Sequence, residues 1–127
     1  MLCVDVVLTD SDKILLSKRK TEPYKGFWHL PGGVIRKNET LQLALSRVIQ
    51  TEIGISDFQV TKQLGIFDDP HRDPRGHFIT VAFQIITDSS IPEFGPQQEQ
   101  LAFFKKLPSK LGFDASKIIK SADLNLG

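Results

Sequence analysis

The chain has 127 residues, of which 40% are hydrophobic and 24% charged, a balance that suits one domain with a core of its own. Its 16 Lys and Arg against 15 Asp and Glu leave a net charge of +1, which removes the case for a general nucleic-acid binder. The lone Cys3 excludes a disulfide framework, and no apolar run nears the roughly 18 to 20 residues that span a bilayer. The opening MLCVDVVLTD has no basic leader and carries Asp5, unlike a signal peptide. The expectation is one cytoplasmic domain over residues 1–127 with no membrane partner.

Leu2 to Thr9 is a strongly β-prone run, and Thr9-Asp10-Ser11-Asp12 is a cluster of turn formers. Lys13 to Arg19 reads as a second strand, so the first twenty residues form a hairpin. Thr21 to Gly26 is a loop, and the apolar Phe27 to Leu30 runs into a Pro31-Gly32-Gly33 turn. Thr40 is a good N-cap for a helix in which Leu41, Ala44, Leu45, Val48 and Ile49 recur at helical spacing, with Gly54 as its stop. Ile55 to Phe67 contains a strand, Asp68 to Gly76 is a polar loop, and His77 to Thr87 is the strongest strand of the chain. A loop over Asp88 to Gln98, a short strand over Leu101 to Phe104 and a closing helix over Ala115 to Ala122, capped by Asp114, complete an α+β order.

Gly32 to Ile55 carries the most chemical information. Two glycines after a proline allow the backbone to approach a ligand closely. At about 100° per residue, positions 48, 51 and 52 share one helix face, where a carboxylate can hold a divalent cation bridging a diphosphate. Arg47 can pair with Glu39 at the helix entrance.

This segment resembles the Nudix hydrolase family, whose box reads G-x5-E-x7-R-E-U-x-E-E-x-G-U, with U an aliphatic residue. Gly33, Glu39, Arg47, Ile49, Glu52, Gly54 and Ile55 fall on it in register, and Trp28-His29-Leu30-Pro31-Gly32 matches the usual approach. Asp73-Pro74-Arg75-Gly76-His77 and Gly112-Phe113-Asp114 are similar to ADP-ribose-type members. The resemblance implies an α/β/α sandwich with a mixed central sheet that cleaves nucleoside diphosphates linked to another moiety, using Mg²⁺ or Mn²⁺. Two box glutamates are replaced, by Val48 and Thr51. A branch resembling GDP-mannose hydrolase also lacks them and works with one Mg²⁺. It implies a metal site of Glu52, the Gly32 carbonyl and Gln97, although its histidine base aligns with Gln98.

Other residues complete the expected site. Arg19, Arg36, Arg72 and Arg75 are phosphate-gripping candidates, since the guanidinium fork suits that anion. His77 is a further substrate contact and, with His71, a titratable alternative. A zinc site of His71, Asp73 and His77 lacks a fourth ligand. Glu99, in the late loop beside Gln97, is the preferred general base, with Glu52 and Arg47 as the other catalytic residues and Glu39 orienting. The leading expectation is a hydrolase of ADP-ribose or a nucleotide-sugar. The contrasting one is a catalytically impaired domain that binds such a ligand as a sensor. With the sequence ending at Gly127, no winged helix is expected, and the resemblance implies a homodimer as an alternative to the monomer.

Overall fold

The computed structural model describes residues 1–122. Among them, seven strands form one mixed sheet, with two helices. In chain order these are β1 (Leu2–Asp10), β2 (Lys13–Lys18), β3 (Trp28–His29), β4 (Gly32–Val34), α1 (Leu41–Glu52), β5 (Gln59–Phe67), β6 (Ile79–Ile86), β7 (Leu101–Phe104) and α2 (Ala115–Lys120).

β1 is the organising strand. It runs parallel to β6 from Leu2↔Ile79 to Leu8↔Ile85 and antiparallel to β4, where Asp5 faces Gly32. It turns into β2 through the expected hairpin, Thr9 pairing with Ile14. β5 lies outside β6, while β2 carries β3 and β7 on its two sides.

Strand alternation assigns the two faces. Val4, Val6 and Leu8 pack with Ala44, Leu45, Val48 and Ile49 of α1. Val7 points the other way, into a second cluster with Ile118 and Ile119 of α2. The sheet therefore lies between helices, an α+β sandwich as the family resemblance implied. Each large aliphatic side chain so buried contributes about 2 kcal/mol.

α1 forms where the sequence spacing placed it. The Thr40 hydroxyl accepts from the Leu43 N–H at 3.1 Å, and the helix stops at Gly54, whose φ of +88° disfavours side chains. α2 is different. The expected cap, Asp114, makes no side-chain cap bond, because its carboxylate is held by Arg72.

The expected Pro31-Gly32-Gly33 turn is a strand instead. A Cβ at Gly32 would lie 2.1 Å from Asp5 Oδ1, and one at Gly33 would lie 3.0 Å from Val48 Cγ2. The two glycines let β4 fit between the Asp5 carboxylate and α1, so close packing rather than bending accounts for them.

Candidate functional site

Glu52 ends α1 and Gly95, in the loop before β7, lies hard against it: a Cβ there would come within 2.7 Å of the Glu52 carbonyl. That contact brings the loop's Glu99 to Glu52. Burial pushes the Glu52 carboxyl up to about 7, the negative charge of Glu99 pushes the same way, and Arg47 opposes both. Glu99 is itself held, since the buried Ser17 hydroxyl donates to its Oε2 at 2.7 Å. Two carboxylates thus converge on one half-buried spot.

Val48 and Thr51 add no anion to this spot. Val48 is core, 1% exposed, and the Thr51 hydroxyl donates to the Val48 carbonyl. The donor set of side chains is therefore two carboxylates. This suits a single hard cation whose shell is completed by water and phosphate. Among the described residues no group of three or more His, Cys, Asp or Glu side chains converges, so the His71–Asp73–His77 zinc arrangement is not formed. His71 is exposed. The His77 ring is turned to the Asp68 carbonyl at 2.8 Å.

Glu39 and Arg47 form the expected pair. Arg47 Nε and Nη2 reach the two Glu39 oxygens at 2.7 and 2.9 Å, and Nη2 also donates to the Val34 carbonyl. The Arg47 side chain holds Glu39 well down, to about 2, and clamps the end of β4 to α1. Arg36 is exposed beyond β4 and gives its backbone N–H to Glu39. Gln97 is exposed in the late loop, its carbonyl accepting from Lys20 Nζ at 3.1 Å.

A cleft of about 240 Å³ runs from Gly32 and Gly33 to the start of α2, and Arg19 in its lining feels the charge of Glu99. Arg19, Arg72 and Arg75, three of the phosphate-gripping candidates, all line it, but they are not equivalent. Arg72 is a strut: its side chain is 7% exposed and donates twice to Asp114 at 2.8 Å and to Asp5 at 3.3 Å. The expectation that it grips phosphate is corrected by this saturation. Arg75 pairs with Asp73 at 2.8 Å and lies over the rings of Phe78 and Phe113. Arg19 has no carboxylate partner among the described residues; its Nε donates to the Pro23 carbonyl and its fork lies 5.0 Å from the Phe113 centroid. Burial and the neighbouring Arg75 charge lower its proton affinity, which makes it a cation in want of an anion.

Sequence reasoning passed over Asp5, Ser17 and His29. The first two were visible as lone polar residues inside apolar strands, LCVDVVL and KILLSK. Asp5 is held by Arg72, yet burial still pushes its carboxyl up to about 6.

Comparison with known proteins identifies the family. The NUDIX domain family matches residues 1–115. An ADP-ribose pyrophosphatase from Methanocaldococcus jannaschii is 40% identical over 121 residues, covering 94% of this chain and 70% of the relative. Among solved structures, a MutT/nudix family protein from Enterococcus faecalis superposes with a TM-score of 0.81 at 26% identity, over 95% of this chain and 60% of its own length. The NUDIX domain of Shewanella oneidensis NrtR, complexed with ADP ribose, gives a TM-score of 0.77 at 25% identity, over 95% of this chain and 84% of that one. The chain belongs to the Nudix family and is a Nudix hydrolase.

Proposed function

We propose that the protein hydrolyses the diphosphate of ADP-ribose or a related nucleotide-sugar with one divalent cation, Mg²⁺ or Mn²⁺. The observation that carries this reading is the pairing of Glu52 with Glu99, whose charge reaches Arg19, the unpaired cation of the cleft. The relatives support the substrate class: one is named for ADP-ribose cleavage, and another binds ADP ribose.

Glu52 and the Gly32 carbonyl would hold the cation, with Gln97 as a further oxygen ligand. When bound, the cation neutralises charge on the diphosphate and so improves the leaving group. Arg19 grips the diphosphate, because among the three arginines lining the cleft its fork is the one not held by a carboxylate. Glu99 accepts the proton of the attacking water, and the Ser17 hydroxyl fixes which oxygen faces that water. Water adds to one phosphorus as the bridging P–O bond breaks, giving a nucleoside monophosphate and a sugar phosphate. Arg47 and Glu39 act at one remove, holding α1 against β4 so that Glu52 keeps its position.

A second reading, a ligand-binding domain with little turnover, is favoured by the closure of the helix face by Val48. Incubation with ADP-ribose, nucleotide-sugars and dinucleoside polyphosphates in Mg²⁺ or Mn²⁺ separates the two. Release of AMP from ADP-ribose supports hydrolysis, whereas tight binding without product supports the second.

A further inference from the structure

Counted by charge, the cleft is balanced. Arg19, Arg72 and Arg75 line it, and so do Asp5, Asp73 and Asp114. Arg72 is neutralised by two of these aspartates and Arg75 by the third. Only Arg19 is left over, and it is the one that feels the charge of Glu99. A diphosphate therefore has Arg19 as its one free cationic partner among the lining residues. Three carboxylates would meet a second anion there, whereas hydroxyl groups could donate to them. An aromatic base fares little better, because the Phe113 ring already carries two guanidiniums, with centroid distances of 5.0 and 5.6 Å.

His29 links the Glu99 side of the site to the cleft. In the β2–β3 pairing it faces Ser17, so its side chain leaves the sheet on the same side as the Ser17 hydroxyl that holds Glu99. It also lines the cleft, with its ring 6.0 Å from that of Phe113. Its Nε2 is shut off from solvent and has no hydrogen-bond partner, an uncommon state for a buried nitrogen. Burial, and the charges of Arg19 and Arg75 beside it, drive its pKa down to about 3, so the ring is neutral in ordinary buffers. A neutral imidazole nitrogen can donate or accept, as can a hydroxyl.

We infer that the cleft takes the uncharged, hydroxyl-bearing sugar of the substrate, and that His29 Nε2 is the specificity-determining hydrogen-bond partner of one of its hydroxyls. This deepens the function proposed above and rests on it. The Phe113 ring is a neighbour of the imidazole at 6.0 Å, and the entering sugar takes the place of that ring against His29. The substrate class that follows is a nucleoside diphosphate esterified to a polyol, rather than a nucleoside triphosphate.

Calorimetry in EDTA, which prevents turnover, tests this with ADP-ribose, ADP and ATP. Wild type binds ADP-ribose about tenfold more tightly than ADP, and ATP no better than ADP. His29→Phe removes that advantage and leaves ADP within about twofold, while His29→Gln, still able to donate and accept, restores part of it. Nitrogen-15 spectra of the three histidines in wild type, where folding is not in question, show one ring nitrogen shifting with ADP-ribose but not with ADP. ATP binding as tightly as ADP-ribose, equal weakening of ADP and ADP-ribose in His29→Phe, or unmoved histidine signals would each overturn the inference while leaving the hydrolase reading intact. Failure of wild type to bind ADP-ribose more tightly than ADP would also overturn the inference, whereas only failure to release AMP from ADP-ribose in Mg²⁺ or Mn²⁺ would overturn the reading on which it rests.

Discussion

The Ser17 hydroxyl donates to Glu99 Oε2 at 2.7 Å across 82 residues of sequence, tying the second strand to the loop that precedes β7. A buried hydroxyl aimed at a carboxylate orients it, and this one leaves the other Glu99 oxygen for chemistry. Ser17→Ala should lower kcat about tenfold with KM little changed, since a positioning bond to a charged group is worth about 1.5 kcal/mol or more. Ser17→Thr, which keeps the hydroxyl, should recover most of the rate. Steady-state kinetics with ADP-ribose checks the pair; equal losses in both variants would mean that packing, not the hydroxyl, matters.

Arg72 joins three parts of the fold: its own loop, Asp5 on β1 and Asp114 at the entrance to α2. Arg72→Ala leaves two carboxylates facing each other without a counter-ion in a desolvated place. Denaturant unfolding at pH 7.5 should show a loss of about 3 kcal/mol. The Asp5 carboxyl, pushed up to about 6, takes up a proton as the pH falls through that value, so the loss should shrink at pH 5. A loss that grew on acidification would contradict the assignment.

Glu52 gives a pH dependence with a definite sign. Its folded pKa, about 7, lies above that of an unfolded glutamate, so the folded protein binds the extra proton. Without metal, this group's contribution to stability is full below pH 4.5 and declines as pH rises towards 7. Glu52→Gln should therefore be more stable than wild type by about 1–2 kcal/mol at pH 8 and nearly equal to it at pH 4.5. Cation binding must displace the same proton, so Mg²⁺ should raise the wild-type melting temperature at pH 8 and do little at pH 5.5. Thermal melts at both pH values, with and without Mg²⁺, check both statements.

Restoring the box at the two replaced positions has unequal consequences. Thr51 is half-buried and Val48 is 1% exposed against Gly33. Thr51→Glu should be tolerated, whereas Val48→Glu places a carboxylate in the core and should cost about 2–3 kcal/mol. If the helix face points at the cation, Mg²⁺ should recover part of that loss for Val48→Glu, which melting curves would read directly.

Local pattern made much of the fold legible. The 3.6-residue spacing and Thr40 cap placed α1, and the apolar runs placed β1, β2 and β6. The Glu39–Arg47 pair was readable because both ends lie on or beside one helix. What sequence could not supply was distance between remote segments. Gly32 and Gly33 read as a turn because the Asp5 and Val48 side chains that demand glycine there are 27 and 15 positions away from them. Arg72 read as a free phosphate ligand because its partners, Asp5 and Asp114, stand 67 and 42 residues off. Asp114 read as a cap for the same reason. His29 read only as part of a motif, since its isolation depends on Arg19, Arg75 and Phe113 closing around it.

The paired carboxylates at the end of α1 are tested most directly by ADP-ribose hydrolysis in Mg²⁺ at pH 8, comparing wild type with Glu52→Gln and Glu99→Gln. AMP release by wild type, with each substitution lowering kcat/KM by about a hundredfold or more while both proteins stay folded, is the predicted result. Turnover by Glu52→Gln at the wild-type rate would contradict it.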